Sequence, residues 1–171
     1  MIKRGIMAML LAAVVLFTAS CGNDYAISVG DNYYELKETY ADNAVGVGSV
    51  FYCIYTIEDL TYFCVIADDN ETISGVAVFN QNRECIYSRG LKVMNGEKTD
   101  FFKEGAKYRQ MVLRYGEPLE LASGIDAWGY LTSDGYVIYA AFYGEGGYYS
   151  NEFQAEYVRF IDIYTGEYIE Q

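Results

Sequence analysis

Two cysteines, Cys53 and Cys64, lie in neighbouring segments whose spacing allows a disulfide bond. Residues 50–56 (VFYCIYT) and 61–67 (TYFCVIA) are rich in aromatic and β-branched side chains, which favour β-strands. If the chain turns at residues 58–59, Cys53 lies directly opposite Cys64. Directly opposed residues of antiparallel strands have Cα atoms roughly 4.5 to 5.5 Å apart, a separation that a disulfide accepts. We therefore predict a Cys53–Cys64 disulfide. Two buried thiols are the alternative, because cysteine is often a small core residue.

The other reactive residues indicate no catalytic centre, so we expect no enzyme activity and no cofactor or metal. The chain contains no histidine, which excludes Ser-His-Asp and Cys-His catalysis and HExxH zinc sites. Cys85 has no evident partner, and three cysteines without histidine make a poor zinc site. Carboxylate pairs such as Glu117 and Glu120 are frequent by chance among 24 acidic residues. Residues 68–71 (DDNE) lack the length and ligand spacing of a calcium loop, and we interpret them as an exposed turn.

The fourth cysteine, Cys21, follows a segment with the features of an export signal. Lys3 and Arg4 give a basic start, and residues 5–17 form an almost wholly apolar run, shorter than the roughly 18 to 20 residues that span a membrane. Small residues at positions 18–20 then precede Cys21. A cysteine directly after small residues resembles the lipobox of bacterial lipoprotein signals. The resemblance implies that cleavage leaves Cys21 as a lipid-modified N-terminus. An ordinary signal cleaved at the same place is the alternative.

Cleavage changes the size and the charge of the folded part. Removal of the first 20 residues, which include two basic residues and no acidic one, leaves 151 residues and changes the formal charge from −12 to −14. Such an acidic chain is not expected to bind nucleic acid or anionic lipid by charge. Membrane attachment then depends on the acyl chains of Cys21, and two or more such chains hold a protein firmly. We predict a lipid-anchored protein on the extracytoplasmic face of the cell membrane.

The sequence after the signal predicts a tether at residues 21–30 and a first folded unit at residues 31–90. Asn32 followed by Glu35 is typical of a helix start, so we favour a short helix within residues 31–42, although the adjacent tyrosines also suit a strand. The remaining predicted elements of this unit are strands at residues 50–56, 61–67, 73–79 and 84–88.

A second folded unit is predicted at residues 91–171. Asp100 can cap a helix over residues 101–115, in which Gly105 favours a bend or break, and Gly116 predicts its end. The predicted strands of this unit are residues 127–132 and 136–143, joined by a turn at Asp134-Gly135, followed by residues 156–164 and 167–169. These elements predict an α+β fold of antiparallel sheets with one or two covering helices. Their similar order in both units indicates two tandem repeats.

Residues 91–143 resemble the small α+β domains of outer-membrane assembly lipoproteins and β-lactamase inhibitory proteins. The matching features are Asn95-Gly96, the helix end at residues 115–118 (YGEP) and the hairpin of residues 130–143 with its Asp134-Gly135 turn. In that family a leading helical unit packs on an antiparallel sheet. The resemblance implies a non-catalytic scaffold that binds proteins.

Four aromatic residues are the predicted binding residues of this scaffold. Tyrosine is in excess, with 19 in 171 residues, and it combines a rigid apolar ring with a polar tip that suits interfaces. Tyr148 and Tyr149 lie in the glycine-rich segment 144–151 (GEGGYYSN), where burial is less natural, while Trp128 and Tyr143 lie at the two ends of the predicted hairpin. The alternative is that these rings pack onto the sheet.

These features together predict a membrane-anchored, non-catalytic module that binds another exported or envelope protein. An inhibitor of a secreted hydrolase, such as a β-lactamase or a protease, is the alternative that the family resemblance suggests. A cell-wall enzyme that uses carboxylates is a further alternative, favoured if two acidic residues share one deep pocket.

Overall fold

The computed structural model describes residues 25–46, 49–122, 126–148 and 150–169. These residues contain two α-helices and ten strands, and the strands form two sheets. The predicted α+β fold class is therefore confirmed. The predicted signal segment, Cys21 and Tyr149 lie outside the described residues.

The first sheet contains four antiparallel strands in chain order. They are β1 (Tyr52–Ile57), β2 (Leu60–Ile66), β3 (Ile73–Phe79) and β4 (Cys85–Arg89). Helix α1 (Tyr33–Thr39) precedes them, and the Asn32 side chain caps it by accepting hydrogen bonds from the backbone N–H groups of Tyr34 and Glu35. The short helix and all four strands of this unit are confirmed, with strand ends shifted by at most two residues.

The second sheet contains the remaining strands and has a less regular order. These are β5 (Val93–Met94), β6 (Leu119–Ala122), β7 (Ala127–Thr132), β8 (Tyr136–Tyr143), β9 (Gln154–Asp162) and β10 (Tyr168–Ile169). The order is β10-β9-β8-β7, and β5 and β6 both pair with β7 on its outer side, β5 in parallel and β6 antiparallel. The predicted β7–β8 hairpin at Asp134-Gly135 is confirmed, whereas β5 and β6 were not predicted.

The two sheets pack face to face, and each has a helix on its other side. Because successive residues of a strand point to opposite faces, Ile54 contacts the core between the sheets while its neighbour Cys53 lies in the cluster under α1. In the second sheet, Tyr139 lies between the sheets and Ile138 lies under α2 (Tyr108–Tyr115). The layers are therefore α1, first sheet, second sheet and α2, and one core joins the two predicted units.

The predicted helix over residues 101–115 is wrong in its first half. A 3-10 helix occupies Gly96–Phe101, and α2 begins only at Tyr108, so Asp100 does not cap it. Between them the backbone leaves helical geometry at Gly105, whose φ is +80°. The segment pairs with the start of β9 instead, since the N–H of Gly105 donates to the carbonyl of Ala155 at 2.8 Å. These tertiary hydrogen bonds replace the helical ones. The predicted end of the helix at Gly116 is confirmed.

The predicted tether at residues 21–30 is wrong for residues 25–30, which belong to the folded domain. Ile27 is fully buried in the cluster under α1, and the ring of Tyr25 lies 4.7 Å from that of Tyr87. The backbone N–H of Gly30 also donates to the carbonyl of Ile73 at 2.9 Å. Apolar side chains at alternate positions 25, 27 and 29 explain this packing, because they give the segment one buried face.

Candidate binding surface

Strand β7 places Trp128 on the face of the second sheet that α2 covers. Its partner on β8 is Ala140, whose small side chain leaves room for the indole ring. The ring of Tyr108, at the start of α2, packs against Trp128 edge-on at a centroid distance of 5.8 Å. Trp128 is therefore held on rigid secondary structure from two sides and is half-buried.

The glycine-rich loop after β8 returns Tyr148 onto Trp128. Gly144 starts the return with a φ of +142°, and a side chain there would collide with the carbonyl oxygen of Glu152. The Tyr148 ring lies 5.7 Å from Trp128 and 5.4 Å from Tyr108. Tyr148 packs on the sheet as the alternative proposed, yet 44% of it stays exposed.

Two carboxylates border this pair of rings. The Tyr148 hydroxyl donates a hydrogen bond to Asp126 Oδ1 at 3.2 Å, and Glu120 is the cross-strand partner of Trp128. The negative charge of Asp126, its hydrogen bond and, less strongly, the charge of Glu120 raise the pKa of the Tyr148 hydroxyl. We call the exposed surface formed by Trp128, Tyr148, Asp126 and Glu120 the Trp128 patch.

The indole N–H of Trp128 has no hydrogen-bond partner among the described residues, although it is buried. Buried donors are nearly always paired, since leaving one unpaired costs about 1 to 3 kcal/mol. The patch thus offers two aromatic rings and two carboxylates, whereas the unpaired indole N–H is buried and does not face a partner.

Tyr143 does not join the other predicted binding residues. Its neighbour Phe142 packs edge-on against Tyr108 under α2, so Tyr143 points to the opposite face of the sheet. There it is 50% exposed and lines an open cleft of about 480 Å³ with Glu104 and Glu156. The structure brings together Trp128 and Tyr148, separates Tyr143 from them, and does not describe Tyr149.

The predicted strand register at Cys53 and Cys64 is confirmed, since the two residues are direct partners in β1 and β2. Both are free thiols in this structure, and the disulfide stays a prediction. Cys85 is also free and half-buried, and its thiol donates to the carbonyl of Tyr87 at 3.4 Å.

The acidic turn at residues 68–71 forms hydrogen bonds within itself. The Asp69 carboxylate accepts from the backbone N–H groups of Glu71 at 2.8 Å and Thr72 at 2.9 Å, which lowers the pKa of Asp69. Within the described residues, no three Cys, Asp or Glu side chains are grouped so that they could hold a metal ion.

Comparison with protein families, with individual characterised proteins and with solved structures finds no match to this chain. The resemblance of residues 91–143 to inhibitory and assembly lipoproteins therefore stays a prediction. Among the described residues, neither helix is long and apolar enough to cross a membrane.

Proposed function

We propose that this protein is a lipid-anchored, non-catalytic module that binds another exported protein through the Trp128 patch. The observation that carries the proposal is the packing of the loop residue Tyr148 on Trp128 beside Asp126 and Glu120. Tyrosine and tryptophan dominate the energetics of protein interfaces because they contribute large contact areas at a small cost in conformational entropy.

The charge of the patch favours a partner with a basic side chain at the centre of its surface. A lysine or arginine over an aromatic ring gains roughly 0.5 to 2 kcal/mol, and the carboxylates of Asp126 and Glu120 add electrostatic attraction. The formal charge of −14 that remains after removal of the first 20 residues extends the same preference to long range, since it increases the association rate of basic partners.

The order of the layers supports such a role for an anchored protein. Tyr25, four positions after Cys21, packs in the outer layer beside α1. The Trp128 patch belongs to the opposite outer layer, beside α2. Four residues span at most about 14 Å, so lipidation of Cys21 would hold the α1 side near the membrane and turn the patch away from it.

The binding surface is tested by recovery of partners from a native envelope extract on immobilised mature protein. We expect Tyr148→Ala to reduce recovery of the specific partner at least tenfold, which corresponds to about 1.4 kcal/mol. Tyr143→Ala is the matched control, because it removes an equally exposed tyrosine from the opposite face of the sheet. Equal recovery by wild type and Tyr148→Ala would contradict the proposal.

The anchor is tested separately by intact-mass spectrometry of the protein purified from membranes. A mature chain that starts at Cys21 and carries the added mass of acyl chains is expected, and Cys21→Ser should release the protein from the membrane. A mature N-terminus of unmodified mass would remove the lipid anchor from the proposal and leave the binding surface untouched.

A further inference from the structure

The two opposed thiols of Cys53 and Cys64 have the geometry of a reactive pair. They are cross-strand partners, and both lie on the face of the first sheet that α1 covers. Cys53 is 5% exposed and Cys64 is fully buried. Two such thiols can exchange with an external disulfide if one can be reached and a bond between them can be broken again.

The register makes a disulfide between these residues strained. The N–H of Ile66 donates to the carbonyl of Phe51 at 2.8 Å, so the pair 51–66 is a hydrogen-bonded one. Because hydrogen-bonded and non-hydrogen-bonded pairs alternate, the pair Cys53–Cys64, two positions further along each strand, is also hydrogen-bonded. Consistently, the carbonyl of Ile54, in the next pair, accepts from Val45 outside the sheet.

Hydrogen-bonded pairs hold their side chains further apart than a disulfide requires. Their Cα atoms are about 5.5 Å apart, and their Cβ atoms lie near the upper end of roughly 4.5 to 5.5 Å, whereas disulfides bring Cβ atoms to about 3.8 Å. Closing the Cys53–Cys64 bond therefore pulls the two strands together. Strained disulfides are easier to reduce, which makes the bond reversible under mild conditions.

Of the two cysteines, Cys53 is the one that borders a cavity. Cys53 lines a cavity of about 160 Å³ at the edge of β1, with Tyr33 and Lys37 of α1 on one wall and Tyr55 beside it. Cys64 does not line this cavity and is fully buried. A cavity of this volume suits a small aliphatic disulfide or thiol.

The interaction between the two thiols changes their pKa values in opposite directions. It lowers the pKa of Cys53 with a smaller contribution from Tyr55, although burial acts in the opposite direction. The same interaction, together with complete burial, raises the pKa of Cys64. The residue whose pKa is lowered is thus the one that lines the cavity, where an external disulfide can reach it.

We propose that Cys53 and Cys64 form a thiol–disulfide exchange site for small disulfides, in which Cys53 attacks and Cys64 resolves. The Cys53 thiolate attacks one sulfur of a small disulfide RSSR, whose S–S bond breaks, and the leaving thiolate takes up a proton. Cys64 then loses its proton and attacks the Cys53 sulfur of the mixed disulfide, and the second RS⁻ leaves and is protonated. The protein is oxidised by two electrons, and RSSR is reduced to two RSH.

The test uses the mature chain with Cys21→Ser and Cys85→Ser as background, which leaves Cys53 and Cys64 as its only cysteines. The reduced protein is exposed to 2-hydroxyethyl disulfide and analysed by intact mass and peptide mapping. We expect the background protein to lose two hydrogen atoms, without an adduct, and mild dithiothreitol to restore it. Added Cys64→Ser should trap a mercaptoethanol adduct on Cys53, whereas added Cys53→Ser should leave Cys64 at least tenfold less modified.

Three results would overturn the site: no adduct on Cys53 in the Cys64→Ser protein, equal modification of Cys64 in the Cys53→Ser protein, or an oxidised pair that resists reduction. Alkylation of the native wild-type protein is a second measurement that needs no variant. It should label Cys53 before Cys64. The proposal does not rest on the Trp128 patch, so either one can fail alone.

Discussion

Arg83, in the turn between β3 and β4, forms a salt bridge with Asp162 at the end of β9, with a nitrogen–oxygen distance of 3.0 Å. Its guanidinium also lies between two rings of the second sheet, 4.6 Å from the centroid of Tyr136 and 4.5 Å from that of Tyr164. The Tyr164 hydroxyl in turn donates to the carbonyl of Asn80 at 2.7 Å. These contacts join the first sheet to the second and fix one end of the face-to-face packing.

Loss of the Arg83 side chain is expected to destabilise the protein by about 2 kcal/mol. Arg83→Ala removes an ion pair with the largely buried Asp162 and two cation–π contacts. Arg83→Lys keeps the charge but loses the planar stacking, so it should lie between wild type and Arg83→Ala. Urea unfolding at pH 7 measures both values. A change of less than about 0.5 kcal/mol in the free energy of unfolding of Arg83→Ala would show that these contacts contribute little to stability.

Gly129 of β7 has no space for a side chain. A Cβ atom at this position would collide with the carbonyl oxygen of Ile138 and lie 2.6 Å from Leu121 Cδ1. Since the first of these is backbone, Gly129→Ala must displace β7 from β8 and should cost about 3 kcal/mol or more. Gly105→Ala is the control, because nothing lies within 4 Å there and only its positive φ opposes the change. Thermal unfolding of both variants measures the two losses of stability. An equal loss in both variants would contradict the close pairing of β7 with β8 at Gly129.

The pKa of the Tyr148 hydroxyl should fall towards its ordinary value of 10.0 in Asp126→Asn. The Asp126 carboxylate disfavours the phenolate through its negative charge and accepts the hydroxyl hydrogen bond, and the substitution removes the charge. An NMR titration of the tyrosine ring carbons measures the shift. Asp59→Asn makes the same charge change in the first sheet, where Asp59 bonds to Gln81, and should leave Tyr148 unchanged. An identical titration of Tyr148 in wild type and Asp126→Asn would show that the Asp126 carboxylate does not interact with the Tyr148 hydroxyl in solution.

Trp128 is the only tryptophan, so its fluorescence reports directly on the cover that Tyr148 provides. Tyr148→Ala should shift the emission to longer wavelength and increase quenching by acrylamide, because water then reaches the indole ring. Tyr148→Phe keeps the ring contact at 5.7 Å and should leave both readings close to wild type. Unchanged emission in Tyr148→Ala would mean that the loop does not lie on Trp128 in solution.

Local signals in the sequence predicted the elements that depend on local chemistry. The Asn32 cap, the Asp134-Gly135 hairpin and the opposition of Cys53 to Cys64 follow from turn residues and alternation, and all three are confirmed. Gly105 predicts a bend or break in the helix, but the cause of the break, pairing with β9, is a contact across 50 residues that periodicity does not encode.

The candidate sites show the same division. Residue type and loop composition predict Trp128 and Tyr148 as binding residues. Their separation from Tyr143 depends on the alternation of side chains along β8, which determines the face of the sheet on which each side chain lies. The role of Arg83 was missed because its partners lie on three other elements, and an arginine in a polar turn gives no signal of them.

The central claim is that the Trp128 patch contacts a partner protein while the opposite face does not. A photo-crosslinking amino acid placed at position 148, and in a parallel strain at position 143, tests this in intact cells. We predict one dominant crosslinked protein from position 148 that is absent from position 143 and is lost when Trp128→Ala is added. No product from position 148, or the same products from both positions, would contradict the account.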